Sequence, residues 1–265
     1  TGYLRQQPNS RWISTVKLPL GIYLMSNPQS NNFFSRFVRK MGEAPVVYDS
    51  LLSERSKQRI QDALFNLGYL HAKVSVEEKY VDHKVRLNYK LHPGRRYIVE
   101  TIDVNVQDTA LADEIAQISD ASILKPGMPF DANVLNQERS RITDHLTDNG
   151  YFNFNRDFIR FTADTTAGSE LVRLKMVVSN FISATENKSR PHQKYRIGDV
   201  AFTYDRSNGS PIWLRNSVLR NANNLIPDDI YSESKVSATY GRLNQLSAIA
   251  ATNILLEPNP VDTSL

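Results

Sequence analysis

Few side chains in this sequence have the types and spacings that carry out reactions. The five histidines, His71, His83, His92, His145 and His192, are scattered, and none stands in the H-E-x-x-H spacing that puts two imidazoles on one helix face around a metal. There is no cysteine, which removes disulfides and thiolate chemistry without choosing a compartment. No Gly-x-Ser-x-Gly turn presents a serine nucleophile, and no P-loop precedes a helix to cradle phosphate. Asp144 and Asp148 share a helix face and would be the carboxylate pair of an acid–base enzyme. With Glu138, Arg139 and Arg141 beside them they read instead as a solvated charged surface. The chain is expected not to be an enzyme and to use no cofactor or metal.

Binding chemistry is easier to find. Phe33, Phe37 and Met41 recur every four residues with Phe34 and Val38 beside them, while Arg36, Arg39 and Lys40 fall largely elsewhere. This spacing predicts a short amphipathic helix with a basic side. Its simplest use is as a flap packed on its own module. The alternative is docking on a partner or a membrane surface through Phe33, Arg36, Phe37, Arg39 and Lys40. The net charge of +4 is mild and dispersed over 265 residues, and no run of apolar residues is long enough to cross a membrane as a helix. A nucleic-acid-binding array is the distant alternative. It lacks the Gly-x-x-Gly loop of a KH module and the aromatic–basic interleaving of an RRM sheet, so no nucleic acid partner is expected.

The elements that must position these residues come as a repeat. Leu124 to Phe152 echoes Gly42 to Leu70: Tyr48 aligns with Phe130, Arg59 with Arg141, Ile60 with Ile142, Leu64 with Leu146 and Gly68 with Gly150, all at an offset of 82. Asp131 is placed as a helix N-cap, Leu135, Ile142 and Leu146 form one stripe, and Gly68 and Gly150 stop the helices. Alternation then predicts strands over 72–77 and 85–91, near 154–163, and over 172–178. A strand from Tyr97 to Val106, with Ile102, Val104 and Val106 inward, opens a second module, and a short helix spans Asp108 to Ile118. Tyr195-Arg196-Ile197-Gly198-Asp199-Val200 repeats the Tyr97 opening at an offset of 98 and starts a third. There Ser210-Pro211 should begin a helix carrying Leu214 and Val218, a second helix should run from Ser232 to Leu246, and strands are expected at 200–204 and 253–257. Thr1 to Asn9 reads as the tail of a helix ended by Pro8, so that the N-terminus looks truncated.

The fold class is therefore α+β, built of tandem β-α-α-β-β modules over 1–93 (first strand missing, with an inserted segment over 11–45), 94–192 (complete) and 193–265 (last strand missing). Each is a three-stranded sheet covered on one face by two helices. Leu124-Lys125-Pro126-Gly127 through Phe130-Asp131, and Asn149-Gly150-Tyr151-Phe152, are similar to signatures of POTRA domains. With the Tyr-x-aliphatic openings, the chain most resembles those of the outer-membrane assembly superfamily that includes BamA and TamA. Tyr3 to Ser10 and Gly42 to Val46 resemble the Bacteroidota representatives. The resemblance implies a periplasmic arm attached to the outer membrane by a C-terminal membrane β-barrel that this sequence does not contain. Its implied partners are unfolded outer-membrane proteins and accessory subunits of an assembly complex. A POTRA scaffold of another secretion or cell-division machine is the alternative. In this topology the final strand pairs between the first and fourth elements, so the strand after Gly-Tyr lies at an edge. Lys73, Val74, Ser75 and Val76, and Phe158, Ile159, Arg160 and Phe161, are then the candidate client-binding residues, through strand addition.

Overall fold

Asp49 and Asp131 each end an extended segment and begin a long helix. In the computed structural model their carboxylates accept from the Leu51 and Asn133 amides, both at 2.8 Å, which satisfies one of the free N–H groups that open a helix. The structure describes residues 2–9, 18–25, 32–82, 84–165, 170–182, 189–203, 214–249 and 251–257. The chain divides into two compact units, Thr1–Tyr97 and Ile98–Leu265. The boundary expected after residue 192 lies within the second.

The first unit contains α1 (Leu18–Leu24), α2 (Phe33–Met41), α3 (Ser50–Asn66), β1 (Lys73–Val81) and β2 (Lys84–His92). Gly68, at φ 92°, ends α3 as its spacing predicts, with the Tyr69 amide reaching back to the Leu64 carbonyl at 3.0 Å. The antiparallel register pairs Val74 with Leu91, Val76 with Tyr89 and Tyr80 with Val85, placing these residues on one face. That face is thinly covered. Val74 is buried and Val85, Leu87 and Tyr89 are half-buried, but Leu91, expected inward, is exposed because β2 has no further neighbour among the described strands. The residues α3 buries are Ser53 and Ser56. Residues 2–9 are turns and extended chain rather than the tail of a helix, held by polar bonds. Arg5 N donates to Ser56 Oγ at 2.9 Å, and the Asn9 side chain donates to Ala44 O at 2.6 Å while accepting from Val46 N at 3.1 Å.

The second unit begins with β3 (Ile98–Val106), α4 (Thr109–Gln117), α5 (Ala132–Asp148), β4 (Ile159–Thr165) and β5 (Leu171–Val178). The sheet order is β3-β5-β4, with β5 parallel to β3 and antiparallel to β4, so the last strand does insert between the first and the fourth element. Both helices cover one face around Leu111, Ile115, Ile142, Leu146, Ile159, Met176 and Val178. The ladder shifts register between Val99 and Thr101, which buries Val99 and leaves Val104, expected inward, 54% exposed. The fourth element starts later than expected, because Arg156–Phe158 forms a 3-10 turn first.

A two-residue hairpin, β6 (Phe181–Ile182) with β7 (Ser189–Arg190), leads to α6 (Asn216–Ala222) and α7 (Glu233–Asn244). The proposed Ser210-Pro211 start lies outside the described residues, and Leu214 packs against Leu219, Ala222 and Leu243. Neither 200–203 nor 251–257 forms a strand, contrary to expectation, although Val200 and Ile254 pack on the cluster of Ile197, Leu225, Tyr231 and Val236. Two lone extended segments with no ladder between them have no paired backbone to make them strands.

Candidate functional site: an open strand edge and a polar junction

The two edges of the β3-β5-β4 sheet differ. At the start of β3 the outer side is covered by the loop before α5: Val99 N donates to Met128 O and Gly127 N to Val99 O, both at 2.8 Å. No such cover lies along β4 among the described residues, so its outward backbone groups stay unpaired. Which residues those are follows from one bond. Ser179 N donates to Phe158 O at 2.9 Å, making Phe158 and Ser179 a hydrogen-bonded pair. Such pairs alternate along an antiparallel ladder, so Arg160 and Thr162 turn N–H and C=O toward Val177 and Lys175 of β5. Ile159, Phe161 and Ala163 turn theirs outward. Main-chain contact at Arg160 is therefore internal to the sheet, and the outward donors sit one residue to either side.

Of the sequence candidates on this edge, Phe158 is displaced: it closes the 3-10 turn, and its ring lies among Phe154, Phe181 and His192 rather than in the strand. Ile159 is fully buried, and Phe161 packs against the core beneath the Arg139 guanidinium at 5.5 Å. Arg160 is exposed on the opposite face. In the first unit Lys73 and Ser75 are exposed, Val74 is buried and Val76 half-buried, and β1 pairs only with β2 among the described strands. On α2 the flap expectation fails for the aromatic face: Phe33 and Phe37 are exposed with Arg36 and Lys40, Arg39 is half-buried, and Ser35 and Val38 form the buried back.

Three acidic residues that read as ordinary surface charges, or drew no notice, hold structural positions, Glu138 and Asp108 buried and Asp148 half-buried. Glu138 is 2% exposed on α5 and accepts from Arg141 Nη2 at 2.7 Å, Arg141 Nε at 3.0 Å and Ile123 N at 3.2 Å. Burial works to raise its pKa, but the bonds from Arg141, Ser122 and Ile123 prevail and hold the carboxyl below the usual range. Asp108 caps α4 through the Ala110 amide and accepts from His192 N, with His192 Nδ1 3.3 Å away. Burial among Phe154, Phe158 and Phe181 keeps the His192 pKa below its ordinary value despite Asp108. Asp148, at the end of α5, accepts from Ser234 N at 2.7 Å and Ser232 Oγ at 2.9 Å, so it stabilises the start of α7. Burial pushes its pKa up, and these bonds bring it below the usual range.

The α5–α7 junction also fixes the chain between them. Tyr195 N donates to Gly150 O at 2.8 Å, just as Tyr97 N donates to Gly68 O at 2.9 Å in the first unit. Phe152 packs edge-on against Tyr195 and Tyr231, and Lys194 spans Glu114 at 2.6 Å and the Tyr151 ring. Burial pushes the Tyr151 hydroxyl up to about 12. A second echo accompanies this. Ile197 and Asp228-Asp229 exchange the two bonds that Val99 exchanges with Gly127-Met128, with Asp228 at φ 67° where Gly127 has 84°. The signal was present as Leu225-Ile226-Pro227-Asp228 against Leu124-Lys125-Pro126-Gly127, hidden by Asp in a conformation that Gly usually takes.

Residues 36–94 match the family model POTRA, described as a surface antigen variable number repeat. The capped helix and glycine stop of this stretch recur in register in the second unit, where a hairpin again follows, starting four to five residues later, and a strand precedes them. No curated protein matches the chain. Among solved structures, the third to fifth POTRA domains of BamA from Haemophilus influenzae are 15% identical, with 91% of this chain and 89% of that one covered and a TM-score of 0.49. POTRA domains 1 and 2 of Omp85 from Anabaena are 15% identical, covering 62% and 88%, with a TM-score of 0.34.

Proposed function

We propose that this chain is the periplasmic arm of an outer-membrane β-barrel assembly or translocation protein, and that it receives extended segments of unfolded barrel clients by strand addition to β4. The family of residues 36–94 supports the setting. The observation that carries the binding mode is the asymmetry of the second sheet, sealed along the start of β3 and open along β4. An incoming strand meets the N–H and C=O groups of Ile159, Phe161 and Ala163. Because those contacts are main-chain, they tolerate many client sequences. Accessory subunits and a membrane barrel of the same protein are the other partners this reading assigns, and β1 offers a second edge around Lys73 to Val76.

Ala163 gives the sharpest test, since its side chain is exposed and its amide faces outward. Ala163→Pro removes one donor without touching the β4–β5 ladder and should weaken binding of a labelled barrel-strand peptide about fivefold, the worth of one net hydrogen bond near 1 kcal/mol. Ala163→Ser keeps the donor and should bind normally. Bound peptide should slow amide exchange at Phe161 and Ala163, while Thr162 is protected already. Equal binding by the Pro and Ser variants, with no new protection, would refute strand addition here.

A further inference from the structure

We propose that α2 is a membrane-surface helix that seats on an anionic phospholipid bilayer. The helix, FFSRFVRKM, contains three cations and no carboxylate. At about 100° per residue, Phe33, Phe37, Met41 and Phe34 sweep one continuous arc of roughly 100°. All four are exposed, at 80%, 52%, 61% and 63%. Ser35 and Val38 occupy the next sector and are the buried ones, so the helix is fastened to its unit by its back and turns its aromatic arc away. The other border of the arc is formed by Arg36 and Lys40, both exposed, with Arg39 beyond them bonding Ser35 O through Nε at 3.1 Å.

The Phe33 and Phe37 rings stack at 6.5 Å and make a single apolar ledge one turn long. Leu24 and Met25, at the end of the neighbouring α1, are exposed as well. A helix built to fold onto its own module would bury this arc and expose its back, the reverse of what is observed. The occupant follows from the order around the helix. An apolar arc with cations along its rim and no acid anywhere matches a bilayer interface, where rings enter the acyl boundary and the cations remain at the phosphate layer.

The inference is independent of strand addition and survives its failure. The test uses the full chain, sedimented with vesicles of phosphatidylcholine alone or mixed with phosphatidylglycerol. Binding to the mixed vesicles should exceed binding to the neutral ones and fall as salt rises. Arg36→Gln with Lys40→Gln should weaken partitioning by roughly 25-fold, about fivefold for each cation near an anionic surface. Phe33→Ser with Phe37→Ser should abolish it, and since these side chains are exposed, circular dichroism should be unchanged. No partitioning into mixed vesicles overturns the proposal, as does binding that ignores both double variants. A dimer dispersed by the Phe double variant, without vesicle binding, would give the face to a second copy of the chain and also overturn it.

Discussion

Glu138→Ala tests whether a charge read as solvent-facing is a structural anchor. The Glu138 carboxylate is almost fully buried and holds two bonds from Arg141 and one from the Ile123 amide, while Arg141 Nη1 continues to Ile118 O at 3.2 Å. Removing it leaves a guanidinium and a main-chain donor unpaired beside the α4–α5 connection. Breaking a fully buried pair costs about 3–5 kcal/mol. The Arg141 side chain keeps 25% of its exposure and can rehydrate, so the loss should be nearer 3 kcal/mol. For a unit of this size that lowers Tm by roughly 6–12 °C. The pH dependence has a definite sign. The folded carboxyl titrates below its unfolded value, so its contribution is complete above the unfolded pKa of about 4.3 and is lost as pH falls through the folded one. Urea unfolding at neutral pH should therefore separate wild type and variant, and the gap should close in acid. Glu138→Leu combined with Arg141→Met should cost less than the sum of the single changes. A loss below about 0.5 kcal/mol at neutral pH, the usual surface value, would refute the reasoning.

His192 should make the second unit less stable in mild acid. Its folded pKa is depressed by burial, so stability is complete above about 6.5 and falls as pH drops toward the folded pKa, by at most about 1.4 kcal/mol per pH unit. His192→Phe should flatten that slope in urea titrations between neutral and mildly acid pH, and an unchanged slope would assign it to other groups. Gly150 stands at φ 101°, and a Cβ there would meet Ile230 at 3.0 Å and Lys194 at 3.3 Å. Gly150→Ala should cost about 1–3 kcal/mol by thermal unfolding, and a neutral result would mean that the α5 stop is not strained by a side chain.

How much of this was legible depended on whether a feature leaves a periodic trace. Asp131, Ile142, Leu146 and Gly150 are read correctly because a cap, a stripe and a stop occupy fixed places on a helix, and the echo at Gly68 repeats them. The insertion of β5 between β3 and β4 came from the family resemblance and not from any spacing. Glu138 was misread because Glu followed three residues later by Arg is also the pattern of a solvated helix pair. Only the folded loop over Ser122 and Ile123 distinguishes the two. Asp108 and His192 are 84 residues apart, and nothing local to either announces the other. Val104 failed because a register shift at the start of β3 leaves no mark in an otherwise regular alternation.

The β4 edge shows why alternation alone could locate an edge strand and still miss its outward backbone groups. Side chains alternate across the faces of a sheet, whereas N–H and C=O groups alternate within its plane. A residue such as Arg160 therefore projects an exposed side chain while its backbone is committed to β5. On β4 the two alternations coincide: Arg160, Thr162 and Asp164 put polar side chains on the exposed face, and the outward donors belong to Ile159, Phe161 and Ala163. The charges on Arg160 and Asp164 are the kind that discourage one edge from pairing indiscriminately with another. They do so from the face and leave the plane of the edge clear. An extended client can thus reach three consecutive outward residues without displacing any core side chain, and its gain per residue is only that of a main-chain hydrogen bond. Under the strand-addition proposal such a site would bind weakly and release readily, which would suit handling a barrel strand that must move on to a sheet of its own.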